Sequence, residues 1–423
     1  MRTRLRHPYV IFCVGVIGVM VFSGAVQAHG SRPLDRDITV ANLNILHGFA
    51  CNLRLSGTQG LATDQCRVAE RLDLLVQHIL AAGCPDIITL QENVTSQFIL
   101  LPPDPTNPTQ VVPVGPLQDT VELLEARLPD LEDACGFAYQ VIFDPAARRR
   151  LPEEMPNPGR GIDEELILTR YPMLAFKVVP LYSPLAPSFF RHVLFARIDH
   201  PLEPIDVFTT HLAAEADFGS LPCGSQVLPP EVGRSPACPA ECDAMQDTVR
   251  ECQAKQMVHF IKKRHNIPGT GIITGDLNAP PFSKVYNEFT ARGWIDSHRQ
   301  ARNAECDPST GINCTAGRED QDLSHLESMD LHQNVRIDYI FVIKPHRWIS
   351  RCRATFDGPR DRDRDGTGTG LFAHEPNPFM ACGSSSAICW ASDHSGNQLD
   401  LNCTDGKSFH DLNDVLNLWH RWR

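Results

Sequence analysis

Polar and ionisable side chains stand at the ends of several apolar runs in this sequence. They are Asn42, Asn44, Glu92, His211, Asp276, Asn278, Asp338, Asp393 and His394. If the runs are strands, one edge of a sheet presents carboxylates, amides and imidazoles to a common cleft. Oxygen ligands of this kind suit a hard divalent cation, and two histidines can transfer protons near neutral pH. The pattern therefore predicts metal-assisted hydrolysis.

Short β-like runs, separated in places by helical patterns, must position these side chains. Strands are expected at residues 38–45, 86–94, 138–143, 164–169, 192–198, 205–211, 271–277, 336–343 and 396–401. Helices are expected at residues 64–82, before the stop signals Gly83 and Pro85, and at residues 242–265. Strands that alternate with helices in one half and follow one another elsewhere predict two packed sheets with helices outside.

Insertions interrupt this pattern at residues 101–114, 144–160, 215–241, 298–331 and 351–391. Predicted strands lie on both sides of every insertion, and no clean linker separates two halves of the chain. We therefore expect one catalytic domain over residues 37–403 that carries long insertions. A helical tail is expected at residues 404–423.

The first 28 residues have the pattern of an export signal. A basic start precedes an apolar run from Tyr9 to Phe22, and Ala25 and Ala28 are small residues typical of a cleavage site. The run is short for a membrane span, and no later segment is long and apolar enough to be one. The pattern predicts a secreted, periplasmic or extracellular protein with no transmembrane segment after cleavage. An uncleaved amino-terminal anchor is the alternative.

The cysteines agree with export. The chain contains 15, and 14 remain once Cys13 of the predicted signal is removed, an even number that suits an oxidising compartment. The close pairs and the cluster are Cys306 with Cys314, Cys382 with Cys389, and Cys223, Cys238, Cys242 and Cys252 in one insertion. A zinc site in that insertion would need paired Cys-x-x-Cys units, which it lacks. Disulfides are expected, and the spacing leaves their connectivity open.

Five motifs follow one another along the chain. They are "LQE" at Glu92, "THL" at His211, "GDLN" at Asp276, "RIDYIFV" at Asp338 and "SDHSG" at Asp393. Together, over about residues 37–402, these segments resemble the endonuclease/exonuclease/phosphatase superfamily. This group comprises metal-dependent hydrolases related to deoxyribonuclease I, bacterial sphingomyelinase and inositol-polyphosphate phosphatases. The resemblance implies an α/β fold, a four-layered sandwich of two mixed β-sheets flanked by helices.

The resemblance also implies a metal site. It assigns Asn44, Glu92 and Asp393 to the metal, with Mg²⁺ or Mn²⁺ as the cofactor. Asn42 lies on the same strand face as Asn44 and is the alternative to it. Separately, the acidic loop at residues 361–370 resembles a calcium-binding loop but lacks the final bidentate glutamate, and a self-paired charged loop is the alternative.

The catalytic roles come from the same resemblance. His394 would pair with Asp276 or a neighbouring acid to activate water, and His211 would contact the phosphate and assist the leaving side. Asp276 would orient the nucleophile, and Asn278 would hold a phosphate oxygen or the attacking water. Asp338 would support a histidine from behind.

Two sets of residues stay open at this point. Asp163, Glu164 and Glu165 precede a predicted strand, where one acid orients His211 or all three face solvent. Five histidines match no motif and are assigned to surface or core packing. They are His47, His192, His259, His325 and His332.

Charge and composition bear on the substrate. The formal net charge is −12 and the densest basic run is residues 148–150, which argues against strong nonspecific nucleic-acid binding. We expect a monomeric, secreted, metal-dependent phosphoesterase that is nuclease-like and cleaves phosphodiesters. A sphingomyelinase-like or other phospholipid or inositol phosphoesterase is the first alternative, with Phe189, Phe190 and Trp348 as membrane-touching aromatics. A non-catalytic binding or scaffold protein is the second. Whether the phosphodiester belongs to nucleic acid or phospholipid stays undecided.

Overall fold

The structure is a computed structural model. It describes residues 37–46, 66–95, 99–101, 112–114, 118–145, 164–184, 191–215, 218–227, 234–265, 269–317, 326–329, 333–343, 352–353, 371–382 and 387–403. The strands within these residues are β1 (Asp37–Asn44), β2 (Ile87–Asn93), β3 (Ile99–Leu101), β4 (Val112–Val114), β5 (Gln140–Ile142), β6 (Glu164–Thr169), β7 (Met173–Pro180), β8 (His192–Ile198), β9 (Ile205–His211), β10 (Thr270–Asp276), β11 (Ile295–Asp296), β12 (Asp338–Ile343), β13 (Cys352–Arg353), β14 (Leu371–Phe372) and β15 (Gly396–Cys403). The helices there are α1 (Val68–Ala81), α2 (Thr120–Glu125), α3 (Leu128–Cys135), α4 (Val249–Arg264), α5 (Lys284–Thr290) and α6 (Ser297–Gln300).

Two large sheets form the centre of the fold. The first has the order β13-β15-β1-β2-β6-β5, with β14 paired to β15, and the second has the order β11-β12-β10-β9-β8-β7. Both are mixed, because β1 is parallel to β2 but antiparallel to β15, and β10 is parallel to β9 but antiparallel to β12. The strands β3 and β4 form a separate hairpin.

The layers follow from which side chains each strand buries. Alternate residues of the first sheet, such as Ile38 and Ile87, pack against Val207 and Ile272 of the second sheet and form the central core. The opposite face of the first sheet packs against α1, α2 and α3. The opposite face of the second sheet packs against α4 and α5. The four-layered α/β sandwich is thereby confirmed, because period-two burial on both faces of each sheet requires helices outside.

Element boundaries differ from the sequence prediction where local signals are hidden. The predicted helix at residues 242–265 begins at Val249, because Thr248 and Glu251 form a capping box that starts it there. The edge strand β7 was missed, since half-exposed residues such as Leu174 (52% exposed) and Phe176 (42%) break the alternation of buried and polar positions. The short helices α2, α3 and α5 were also missed.

Disulfides hold several loops of the described chain. The pairs are Cys84–Cys135, Cys223–Cys238, Cys242–Cys252, Cys306–Cys314 and Cys382–Cys389. The two close pairs expected from spacing are therefore bonded. The four cysteines of the 215–241 insertion and its flank form two disulfides, which excludes a zinc site made of thiolates there.

Several expectations fall on residues outside the described ranges. They concern the export signal at 1–28, the tail at 404–423, the acidic loop at 361–370, the basic run at 148–150, and Asp163, Phe189, Phe190 and Trp348. Among the residues that the structure does describe, no helix has the length and apolarity needed to cross a membrane.

Candidate active site

Sheet register brings the ends of three neighbouring strands into one row. Asp276 at the end of β10 pairs with His211 at the end of β9 on one side and with Asp338 at the start of β12 on the other. All three side chains are buried, each 3% exposed or less. The strand ends named by the sequence therefore meet at one edge of the second sheet.

The turn after β10 fixes Asn278 beside this row. Asn278 has φ of 49°, and its main-chain N–H donates to Asp276 Oδ1 at 2.7 Å. One residue before Asp276, Gly275 has φ of 142°, and a side-chain carbon there would lie 2.0 Å from Thr210 O. Glycine is required because the two parallel strands approach so closely at this point. The strand thus ends with Asp276 and Asn278 in a defined geometry.

The first sheet contributes Glu92 and Asn44 to the same edge. The pairing of β2 with β6 shifts between Leu90 and Asn93, and Glu92 within that bulge has φ of 62°. A bulge re-aims a side chain that regular alternation would point elsewhere. Asn44 Nδ2 donates to Glu92 Oε1 at 2.8 Å and to Asp276 Oδ2 at 3.1 Å. The Asn44 amide therefore joins carboxylates from the two sheets.

Asn42, the alternative to Asn44, lies deeper between the sheets. Its Oδ1 accepts hydrogen bonds from Thr89 Oγ1 and Gln91 Nε2, both at 2.9 Å. Gln91 also donates to Thr209 Oγ1 at 3.0 Å, so this polar group links the sheets beneath the candidate site. The contacts favour Asn44 over Asn42 as the residue beside the acids.

Ser392 places the "SDH" motif against the first strand. Its Oγ lies 2.6 Å from Asn44 O and 3.1 Å from Asp393 Oδ1, and it accepts the main-chain N–H of His394 at 3.1 Å. His394 Nδ1 in turn lies 2.9 Å from Asp338 Oδ2. The other ring nitrogen, Nε2, is 3.9 Å from Asp276 Oδ2. The sequence analysis quoted Ser392 within its motif but assigned it no role.

His211 has different neighbours. Arg191 Nη1 donates to His211 Nδ1 at 2.6 Å, and Asn278 Nδ2 lies 2.9 Å from Nε2. The ring nitrogens are 3.8 Å from Glu92 Oε1 and 3.5 Å from Asp276 Oδ2, respectively. Arg191 was missed, since one arginine after two phenylalanines carries no local signal of a site.

Glu164 and Glu165 are buried, so the solvent-facing interpretation is wrong for these two acids. Glu165 is 1% exposed, and its Oε1 accepts the main-chain N–H of His211 at 2.8 Å. Glu165 also contacts His192 Nε2, which lies 3.1 Å from Glu164 Oε2. His192, assigned only to packing, therefore carries a charged contact behind His211. The one available signal was the placement of two acids at the start of an otherwise apolar strand.

Electrostatics at this edge are dominated by crowded carboxylates. Burial and the nearby charge of Asp338 raise the pKa of Asp276, although His211 and His394 oppose the shift. Burial alone would lower the pKa of His394, but Asp338, Asp393 and Asp276 raise it well above the usual value. The site thus holds more negative charge than its own cations balance.

This donor set fits a divalent cation. Ligand atoms of Asp276, Asp338 and His394 lie within 4.8 Å of one another. Among the described residues, Asp338 Oδ1 is buried and has no hydrogen-bond partner. Oxygens of Asn44 and Glu92 border the same space through their contact with Asp276. Carboxylate and amide oxygens are the ligands that hard cations prefer. The metal-binding and catalytic roles of the single residues stay predictions.

A model of the endonuclease/exonuclease/phosphatase family matches residues 41–394. The chain belongs to this family. The family comprises hydrolases of phosphate esters, nucleases among them, that generally depend on a divalent metal. The resemblance inferred from the five motifs is therefore confirmed. A comparison with curated protein sequences finds no significant match.

Solved structures similar to this family member include three enzymes or domains. An endonuclease/exonuclease/phosphatase from Bacteroides vulgatus has 15% identity and a TM-score of 0.46, with 87% of this chain and 99% of that chain covered. A mannosyl-6-phosphatase from Bacteroides thetaiotaomicron has 14% identity and a TM-score of 0.45, with 86% and 99% covered. The human nocturnin catalytic domain has 16% identity and a TM-score of 0.43, with 87% and 95% covered. At these values the similarity carries no argument about substrate.

Proposed function

We propose that this protein is an exported, divalent-metal-dependent phosphodiesterase, nuclease-like in its chemistry, that cleaves its substrate by in-line attack of an activated water. One observation carries the proposal. Two histidines approach Asp276 Oδ2 from opposite sides, His211 Nε2 at 3.5 Å and His394 Nε2 at 3.9 Å. In-line displacement needs groups at both the attacking and the leaving oxygen.

His394 is the residue suited to the attacking side. Its Nδ1 faces Asp338 Oδ2 at 2.9 Å, which leaves Nε2 available to accept a proton from water. Asp276 beside it orients that water. A divalent cation held by Asn44, Glu92 and Asp393 would neutralise charge on the phosphoryl oxygens and offset the carboxylates that raise the pKa of His394.

His211 and Asn278 are suited to the phosphoryl oxygens and the leaving side. Their side chains lie 2.9 Å apart, and Asn278 is held by a hydrogen bond to Leu212 O. A diester releases a poorly stabilised alkoxide, so a donor near the leaving oxygen has most to contribute there. This need supports a diester over a simple monoester.

Export is supported by the disulfides and the signal-like start of the chain. Five disulfides lie within the described residues alone. Bonds of this kind persist mainly in secreted and periplasmic proteins. A protein purified without reducing agent is therefore the appropriate material for assays.

The central experiment measures hydrolysis of bis(4-nitrophenyl) phosphate with Mg²⁺ or Mn²⁺. We expect turnover that EDTA abolishes and added metal restores. His394→Ala should lower kcat by about 1,000-fold, since general acid–base help is worth roughly 10²–10⁴-fold. His259→Ala is the matched control, because His259 is exposed on α4, and it should retain wild-type turnover.

Unchanged turnover in folded His394→Ala would overturn the mechanism. A parallel panel of DNA, RNA, sphingomyelin and phosphoinositides then separates the substrate classes. Cleavage of nucleic acid supports the nuclease-like proposal, and cleavage of lipids alone rejects it. Binding without turnover of any substrate would favour a non-catalytic scaffold.

A further inference from the structure

We propose that Arg250 and Gln253, both on α4, are positioning residues that clamp the two loops carrying His211 and Asn278. Neither is one of the acids, amides or histidines that gather at the sheet edge. Both act through main-chain groups of those loops. The kinetic part of this role rests on the proposed phosphodiesterase function, whereas its structural part does not.

The first half of the clamp holds Ala213, two residues after His211. Arg250 Nε donates to Ala213 O at 2.6 Å, and Ala213 N donates to Gln253 Oε1 at 2.8 Å. Gln253 is 0% exposed, and its Nε2 donates to Tyr182 O at 2.7 Å. That second bond determines which way the amide faces. Because residues three apart share a helix face, α4 grips both polar groups of Ala213 from one side.

The second half of the clamp holds Asn278. Arg250 Nη1 donates to Asn278 O, while Nη2 reaches Glu215 Oε1 at 2.8 Å. Asn278 has φ of 49°, a region that a non-glycine residue occupies only when its surroundings hold it there. Its side chain donates to Leu212 O and lies 2.9 Å from His211 Nε2. One guanidinium therefore joins the two loops whose side chains meet at His211.

The start of α4 gives the clamp a fixed base. A capping box at Thr248 begins the helix, and the Cys242–Cys252 disulfide ties its second turn to the preceding segment. Arg250 N donates to Gly219 O at 3.0 Å. A side-chain carbon at Gly219 would lie 2.7 Å from Arg250 Nη2, so glycine leaves the space that the guanidinium occupies. The planar fork of arginine suits three separate acceptors, which a lysine ammonium on one flexible stem cannot reach together.

The kinetic experiment compares Arg250→Ala and Arg250→Lys with Arg292→Ala on bis(4-nitrophenyl) phosphate and metal. Arg292 is the control because it makes only an i,i+4 contact at 3.6 Å with Glu288 among the described residues. We expect Arg250→Ala to lower kcat about 10- to 100-fold, since small misplacements of reacting groups cost this much, with KM nearly unchanged. Arg250→Lys should retain part of the lost rate. Arg292→Ala should match the wild type.

Two readouts separate positioning from general stability. In an Asn278→Ala background, Arg250→Ala should cost less than it does alone, because part of its effect acts through Asn278. Hydrogen exchange at the Ala213 amide should be slow in the wild type and fast in Arg250→Ala below the unfolding temperature. Arg250→Lys provides the same comparison if the alanine variant does not fold.

The outcomes are distinguishable. Wild-type kcat in Arg250→Ala, or an equal fold loss in the Asn278→Ala background, would overturn the clamp. Fast exchange at the Ala213 amide in the wild type would also overturn it. A wild-type protein without turnover would reject the proposed function, while exchange that becomes fast only in Arg250→Ala would still support the clamp.

Discussion

The two ends of the β-sandwich treat buried acids in opposite ways. At the site end, Asp276 and Asp338 occupy paired positions on β10 and β12, and burial together with the Asp338 charge raises the pKa of Asp276. At the far end, Asp206 on β9 is also buried, but Arg197 binds its two oxygens at 2.7 and 2.9 Å. Burial alone would raise the pKa of Asp206, yet His265 and Arg197 lower it.

A second acid at the far end repeats the paired arrangement. Asp86 precedes β2, contacts Arg170 Nε, and accepts the main-chain N–H of Thr39 at 2.7 Å. Glu92, six residues later at the site end of the same strand, instead contacts the amide of Asn44 and lies 3.8 Å from His211. The same strand thus carries a matched acid at one end and an acid aimed into the cleft at the other.

The difference separates stability from function. An acid that gains hydrogen bonds and an opposite charge stabilises the fold, whereas crowded carboxylates cost stability and favour a positively charged ligand. Perturbed pKa values in a cluster of this kind are typical of functional sites. The contrast predicts that substitutions at the two ends change different measurable quantities.

Asp338→Asn should have the largest effect, and on activity alone. The amide cannot give His394 the negative partner that now lies 2.9 Å from its Nδ1. We expect kcat to fall about 100-fold or more. The free energy of unfolding should change by less than about 1 kcal/mol, because relief of the repulsion with Asp276 offsets the lost contact with His394. Steady-state kinetics and urea unfolding test both parts, and a large loss of stability would break the comparison.

Asp206→Ala should have the opposite result. The change leaves Arg197 and His265 without their buried partner. We expect the free energy of unfolding to fall by about 3 kcal/mol, the scale found when one member of a buried ion pair is removed. The kcat of the folded protein should stay at the wild-type value. A loss of kcat without a loss of stability would mean that the far end serves the site directly.

The sequence predicts the fold and the gathered residues well because both follow from local patterns. Alternation of apolar residues predicts strands, and β9 and β10 are parallel neighbours whose carboxyl ends must meet at one edge. Placing His211 and Asp276 together therefore needed only the strand ends and their order. The five motifs added which family this arrangement resembles.

The supports of the site lie beyond such patterns. Arg191, Glu165 and Arg250 act through contacts between residues distant in sequence, such as the pairing of Glu165 Oε1 with His211 N. Their positions depend on how sheets and helices pack, which spacing along the chain does not encode. The positive φ of Glu92 likewise arises from a bulge against β6, and a sequence motif contains no trace of it.

A buried histidine at the far end gives the smallest predicted effect. His200 packs against Tyr171, with ring centroids 4.9 Å apart, and burial followed by the charge of Arg170 lowers its pKa from 6.5 to about 4. Between these two pH values the unfolded chain binds the proton and the folded chain does not, so stability falls as pH decreases from about 6.5 to about 4. The shift corresponds to at most roughly 3 kcal/mol. His200→Gln should remove this part of the pH dependence, whereas His259→Gln, at an exposed site, should keep it. Urea unfolding of the three proteins at pH 7 and pH 4 measures the difference, and parallel curves for His200→Gln and the wild type would show that His200 is protonated in the folded state, as the carboxylates favour for His394.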